Sequence, residues 1–137
     1  MDLQIKGKRA IMAGGSAGMG RATAERLAEA GADLVITARR KDRLEKAAEE
    51  ISTKYKVRVS PIVADSSKVE DRAKLLESCP DPDILVITIK PPAPNGDFLK
   101  VTPDMWRESI DMALIGPIEL MRQYIPHMKK NGWGRIV

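Results

Sequence analysis

Lys8–Gly20 reads KRAIMAGGSAGMG, and this stretch decides the fold. Lys8–Ala13 is apolar enough for a short strand, and Gly14–Gly20 is a glycine-rich turn with the spacing G-x-x-x-G-x-G. Met19–Ala30 then carries Ala, Leu and Met at helical intervals, with Gly31 where a helix C′ glycine is wanted. A glycine turn between a strand and a helix lets backbone N–H groups approach an anion. The helix N-terminus adds the positive end of its dipole. The pattern predicts a pyrophosphate site, and the bland alternative is a tight turn with no ligand. No Lys follows the glycines, which excludes a P-loop.

Working outward, apolar runs and helical patterns alternate. Asp33–Ala38 (DLVITA) is a second strand, and Lys41–Lys54 is an amphipathic helix burying Leu44, Ala47, Ala48 and Ile51. Val57–Val63 is a third strand with Asp65 just past its end. Ser67-Lys-Val-Glu70 has the form of a capping box, predicting a helix from there to about Ser78. Asp83–Ile89 is a fourth strand, followed by a Pro-rich loop, Lys90–Val101. Thr102 and Pro103 open a helix predicted to reach Met128, kinked at Gly116-Pro117. Continuous apolar strands alternating with helices predict an α/β protein: a Rossmann-type, doubly wound parallel sheet covered by helices on both faces.

The end of the second strand bears on the choice of cofactor. An acidic residue there would accept the ribose 2′-OH of NAD; this chain has Ala38 followed by Arg39 and Arg40. A guanidinium can form a bidentate pair with the 2′-phosphate of NADP, so NADP is favoured over NAD. The competing reading is that both arginines are solvated surface residues.

Bulk properties exclude other classes. At 137 residues and 15.1 kDa, one domain is expected over 1–137. The net charge of +4 and pI near 9.3 invite a nucleic-acid reading, but in Arg39–Glu50 basic and acidic residues alternate as on a solvated helix face. Cys79 is the single cysteine, so no intramolecular disulfide forms and no cysteine-based zinc site is expected; no metal site is predicted. Met1–Gly7 lacks the apolar stretch of a signal peptide. Ile84–Ile89, the longest strongly apolar run, is far below the roughly 20 residues that span a bilayer, so a cytoplasmic protein without membrane contact is expected.

Over nearly its whole length the chain resembles the short-chain dehydrogenase/reductase family, and within it bacterial 3-oxoacyl-carrier-protein-reductase-like members. Lys8–Gly20 resembles the family's first strand and cofactor loop, Asp33–Arg40 its second strand, and Val63-Ala-Asp65 its acidic turn near the adenine. Gly116–Leu120 (GPIEL) and His127–Val137 (HMKKNGWGRIV) resemble its fourth-helix region and the entry to its fifth strand. The resemblance implies an NADP(H)-dependent oxidoreductase acting on a small carbonyl or alcohol substrate. Gly14, Ser16, Ala17, Gly18, Met19 and Gly20 would hold the pyrophosphate, Arg39 and Arg40 the 2′-phosphate, and Ala64 and Asp65 the adenine. Asp65 reads equally well as a residue that builds the turn. Members of the family make subunit contacts through the helix matching Thr102–Met128, which implies a homo-oligomer, a dimer or tetramer.

The departures matter as much. The family has Thr where this chain has Ala13, and an Asn-Asn-Ala-Gly turn where this chain has Ile87-Thr-Ile-Lys90 and then Pro91-Pro-Ala-Pro94. In the family that Thr hydroxyl supports that turn, so both losses fall on one contact. An Asn that helps a proton relay is Ala113 here. The family's catalytic Ser and Tyr-x-x-x-Lys would lie beyond Val137, and Gly134–Val137 reads as the first half of a fifth strand. The expectation is the N-terminal part of a longer domain, truncated at that strand, with no catalytic residue among 1–137 and no turnover by them alone. Tyr124 reads as a packing residue, His127 as a helix-end residue, and Lys90 as a solvated loop lysine, with approach to the nicotinamide side as the alternative. The alternative is a catalytically degenerate nucleotide-binding or subunit-interaction protein.

Overall fold

The computed structural model describes residues 3–90 and 97–137. Five strands form one sheet in the order β3-β2-β1-β4-β5, and every neighbouring pair is parallel. They are β1 (Arg9–Ala13), β2 (Asp33–Ala38), β3 (Val59–Val63), β4 (Ile84–Ile87) and β5 (Arg135–Ile136). The helices are α1 (Gly18–Glu29), α2 (Lys41–Tyr55), α3 (Val69–Ser78), α4 (Pro103–Ile110) and α5 (Gly116–Lys130). Strand order reverses between β1 and β4, the place where doubly wound sheets bind their ligands at the carboxyl ends of the strands.

The central strands are apolar throughout because both of their faces are covered. Ala10 and Met12 of β1, Leu34 and Ile36 of β2, and Ile84 and Val86 of β4 pack under α1 and α2, against Ala24, Ala28, Leu44, Ala47, Ala48 and Ile51. The intervening residues Ile11, Ala13, Val35 and Leu85 point the other way, to Leu75 and Cys79 at α3 and to Leu120, Tyr124 and Met128 of α5. Successive side chains of a strand alternate faces, so a continuous apolar run feeds two cores at once. Each fully buried aliphatic side chain contributes about 1.5–3 kcal/mol. Small residues on α1 let it lie close to the sheet. The helix stops in a Schellman motif, with Gly31 N–H donating to the Ala28 carbonyl (2.9 Å) and Ala32 N–H to that of Leu27 (3.0 Å).

The expected capping box does not form, and α3 begins later than predicted. Its N-cap is Lys68, with no side-chain cap. The Ser67 hydroxyl and N–H donate instead to Asp65 Oδ1 (2.6 and 3.0 Å), and Asp71 accepts the Asp65 N–H at 2.8 Å. A carboxylate two residues upstream captures the serine before it can serve the helix.

Thr102 does cap α4, accepting from the Met105 N–H at 3.3 Å. The helix expected to reach Met128 runs to Lys130, and the kink expected at Gly116-Pro117 is a π-helical turn, Asp111–Ile115, placed just before it. Pro117 has no N–H to give the carbonyl of Ala113, and its ring would crowd it; the wider turn absorbs both effects. Gly116 also requires the approach to be close, since a Cβ there would lie 2.9 Å from the Ser66 carbonyl oxygen. The Pro91–Pro94 segment lies outside the described residues. Among those described, no helix is long and apolar enough to cross a membrane.

Candidate functional site

A cleft of about 520 Å³ opens at the carboxyl ends of β1, β2 and β4, within the range of small-molecule sites. The glycine turn forms its floor. Gly14 and Gly15 both donate their N–H to the Thr37 carbonyl (3.0 and 3.1 Å), which draws the turn over the end of β2. Gly14 has φ +98°, and a Cβ on it would sit 2.8 Å from the Thr88 carbonyl oxygen. A Cβ on Gly20 would overlap the Gly14 carbonyl oxygen and the Thr88 hydroxyl. These two glycines are demanded by space. Gly18 has φ +56° but nothing within 4 Å of a Cβ, so only its backbone conformation is special.

The turn delivers the first N–H groups of α1 to the cleft. Ala17 is the N-cap in extended conformation, with no side-chain cap bond, and no acidic residue occupies the first turn. Those N–H groups have no intrahelical partner, and the helix dipole favours an anion beside them. Arg21, one step along, is spoken for: it pairs with Glu25 (3.0 Å) and Glu50 (2.7 Å), tying α1 to α2.

At the other end of the cleft stand Arg39, Arg40 and Arg43. Arg40 lies 3.9 Å from Asp42, while among the described residues no salt bridge engages Arg39 or Arg43. Arg43 was missed by sequence reasoning; it falls one helical turn from Arg40 at the start of α2, a spacing that brings side chains to one face. Ala64 and Asp65 close this end. Burial alone would raise the Asp65 carboxyl, but the hydrogen bonds from Ser67 and the charges of Arg39 and Lys68 outweigh it and hold it below the usual carboxylate range. Asp65 therefore does build the turn, through Oδ1, and it lines the cleft as well.

All ten residues singled out for the cofactor line this one cleft: Gly14, Ser16, Ala17, Gly18, Met19, Gly20, Arg39, Arg40, Ala64 and Asp65. Thr37, Ser66, Thr88 and Met112 line it too and carried no sequence signal. Lys90 reaches the cleft at the β4 end.

The tyrosines and the histidine stand elsewhere. Tyr124 is fully buried in the core under α5, where burial pushes its hydroxyl far above the ordinary value. His127 meets Asn131 (2.8 Å) at the end of α5, outside the cleft. Neither Tyr55 nor Tyr124 is followed by Lys four residues on. Among the described residues no group of three His, Cys, Asp or Glu is placed to hold a metal.

The cleft fits a dinucleotide on its own evidence, with a glycine cradle that a Cβ would fill, an uncapped helix N-terminus and a cationic far end. Known proteins point the same way. Residues 8–137 match the family described as short chain dehydrogenase. The chain is 31% identical over 140 residues to the 3-oxoacyl-[acyl-carrier-protein] reductase FabG of Aquifex aeolicus, covering 100% of this chain and 56% of that one. It is 29% identical over 140 residues to YvaG, an uncharacterized oxidoreductase of Bacillus subtilis, covering 100% of this chain and 52% of that one. The chain thus spans about half the length of the curated relatives it matches. The crystal structure of L-sorbose reductase from Gluconobacter frateurii, complexed with NADPH and L-sorbose, superposes with a TM-score of 0.92 at 32% identity, covering 99% of this chain and 53% of that one. The parallel sheet, the glycine cradle and these matches lead to one conclusion: the chain belongs to the short-chain dehydrogenase family.

Proposed function

We propose that this chain is the cofactor-binding part of an NADP(H)-dependent oxidoreductase that interconverts a carbonyl and an alcohol. The observation that carries the reading is the cluster of Arg39, Arg40 and Arg43 at the β2 end of the cleft, where an NAD site would place a carboxylate. The NADPH complex of the sorbose reductase supports it, and the L-sorbose in that complex supports a carbonyl substrate class.

The N–H groups of Gly18, Met19 and Gly20, with Gly14, Ser16 and Ala17 around them, would hold the pyrophosphate. Arg39, Arg40 and Arg43 would hold the 2′-phosphate by charge-assisted hydrogen bonds. Ala64 and Asp65 would bound the adenine; Oδ1 of Asp65 is committed to Ser67, which leaves Oδ2 for the adenine amino group. The bound nicotinamide supplies or accepts the hydride. No residue of this chain is proposed as the acid, so binding without turnover is expected of these 137 residues.

Calorimetric titration tests the reading. NADPH should bind roughly 10–100-fold more tightly than NADH, and Arg39→Ala with Arg43→Ala should remove most of that preference, since a hydrogen bond to a charged group contributes about 1.5–3 kcal/mol. Equal affinity for the two cofactors would overturn the NADP assignment, and no binding of either would overturn the reading as a whole.

A binding-only or assembly subunit is the second reading, favoured by Ala113 and by Met105, Trp106, Ile110, Leu114 and Ile118, apolar side chains exposed along α4 and into α5. On either reading this face is proposed to carry homo-oligomer contacts, for which sedimentation should show a dimer or tetramer. A longer form that reduces a carbonyl with NADPH would exclude the binding-only reading.

A further inference from the structure

We propose that Thr88 is a positioning residue for the cofactor, a hydroxyl that locks the pyrophosphate turn to the end of β4. The inference rests on the dinucleotide reading given above and names a residue that reading does not use. Thr88 follows the last residue of β4, and its backbone N–H donates to the Ala13 carbonyl at 2.8 Å, the final rung between β4 and β1. Its hydroxyl lies 3.3 Å from the same carbonyl oxygen, to which it donates, and 3.5 Å from that of Gly14. A carbonyl oxygen has two lone pairs, so Ala13 can serve both the N–H and the O–H of one residue.

The hydroxyl also occupies the space that Gly20 leaves by lacking a side chain, since a Cβ on Gly20 would overlap it. A Cβ on Gly14 would meet the Thr88 backbone at 2.8 Å. Thr88 is thus wedged between the first and last glycines of the turn, touching the residue before it and the first turn of α1 after it. Ala13 brings no hydroxyl of its own to the junction of β1 and β4, and the one that is present comes from β4. The consequence concerns aim more than stability. The Gly14 and Gly15 N–H groups are fixed on the far side by the Thr37 carbonyl, and Thr88 fixes the near side. The α1 donors that follow are then held in one orientation toward the phosphates.

Thr88→Val keeps the shape and the β preference but removes the donor, setting a methyl against the Gly14 carbonyl. Thr88→Ser keeps the donor. A net hydrogen bond of about 1 kcal/mol corresponds to about fivefold in affinity. Titration of the 137-residue chain should therefore show Thr88→Val weakening NADPH and NADH by the same factor, about fivefold or more, because both share the pyrophosphate. Thr88→Ser should stay within about twofold, and the melting temperature of each variant should move by less than a few degrees. Thr88→Ala, which adds no bulk, must follow Thr88→Val, so the test survives if the valine does not fold.

Unchanged binding by Thr88→Val and Thr88→Ala would overturn the inference and leave the proposed function intact. So would a loss in Thr88→Ser equal to that in Thr88→Val, which would make the role steric. A wild-type chain that binds neither cofactor would overturn the dinucleotide reading itself, and the inference with it.

Discussion

The glycine turn and the α4–α5 region are built by different means. At the β1–β2 end, the backbone is held from all sides: the turn hangs on the Thr37 carbonyl, Gly14 and Gly20 fit around Thr88, and the strands bury both faces. At the α4–α5 end, a π-helical turn bridges two helices, and Leu114 and Ile115 within it are 53% and 43% exposed. One end is a turn whose backbone is fixed on both sides. The other, from α4 through the π turn, presents an apolar surface whose buried residues are Met112 and, just after it, Gly116. A dinucleotide's charged middle needs fixed donors, and that is where this fold concentrates its constraints.

The comparison makes its sharpest prediction within the glycine turn. Gly20→Ala should eliminate detectable NADPH binding and destabilise the chain by about 3 kcal/mol or more, because the new Cβ meets backbone that cannot retreat. Gly18→Ala, with open space around it, should cost only about 1–2 kcal/mol for its left-handed backbone and leave binding measurable. Urea denaturation and calorimetry on both variants separate the cases, and similar losses would mean that space is not what distinguishes the two glycines.

Next in size is a core comparison across the two ends. Ile11→Ala, in β1, should cost about 2–5 kcal/mol, whereas Leu114→Ala should stay within about 0.5 kcal/mol in a monomeric chain. A large loss for Leu114→Ala that depends on protein concentration would show that its face is covered in solution.

The smallest effect belongs to the opposite rim of the sheet, where Asp33 accepts from Nε and Nη2 of Arg58 (3.0 and 2.6 Å) and from its backbone N–H (3.0 Å). The Arg58 guanidinium holds the Asp33 carboxyl below its ordinary value, against a smaller opposing effect of burial. A carboxyl depressed on folding contributes stability above its unfolded pKa, about 3.9, and that contribution fades as pH falls through the lower folded value. Asp33→Asn should therefore cost about 0.5–1 kcal/mol near neutral pH, a modest figure because Arg58 is mostly exposed, and the gap to wild type should close in acid. A gap that persists in strong acid would remove the ion pair as its cause.

The same division explains what could be read from the sequence. Asp33–Ala38 is a strand at the residues expected, because a strand buried on both faces leaves an uninterrupted apolar run. The glycine spacing located the turn, and the residues singled out with it line one cleft. The α3 start was misread because Ser67 has two possible partners, and the winner, Asp65, is set by how β3 ends. The π turn depends on Gly116 meeting Ser66 from a distant part of the chain, and the Thr88 contact depends on the register of β4 against β1. Neither is a local property. Arg43 could have been found by extending the Arg39-Arg40 pair by one helical turn.

The two rims of the sheet also differ, with a consequence for misassembly. On β3, Arg58 accepts from Leu34 and Ala64 donates to Ala38, so the alternate positions, Pro61 among them, face outward. Pro61 has no N–H, and that rim cannot offer a full row of donors to another chain. On β5, Arg135 and Val137 bond to β4, which turns the N–H and carbonyl of Ile136 away from the sheet. A chain laid against β3 would therefore find a gap in the ladder at Pro61, which makes that border a poor template for a growing fibril.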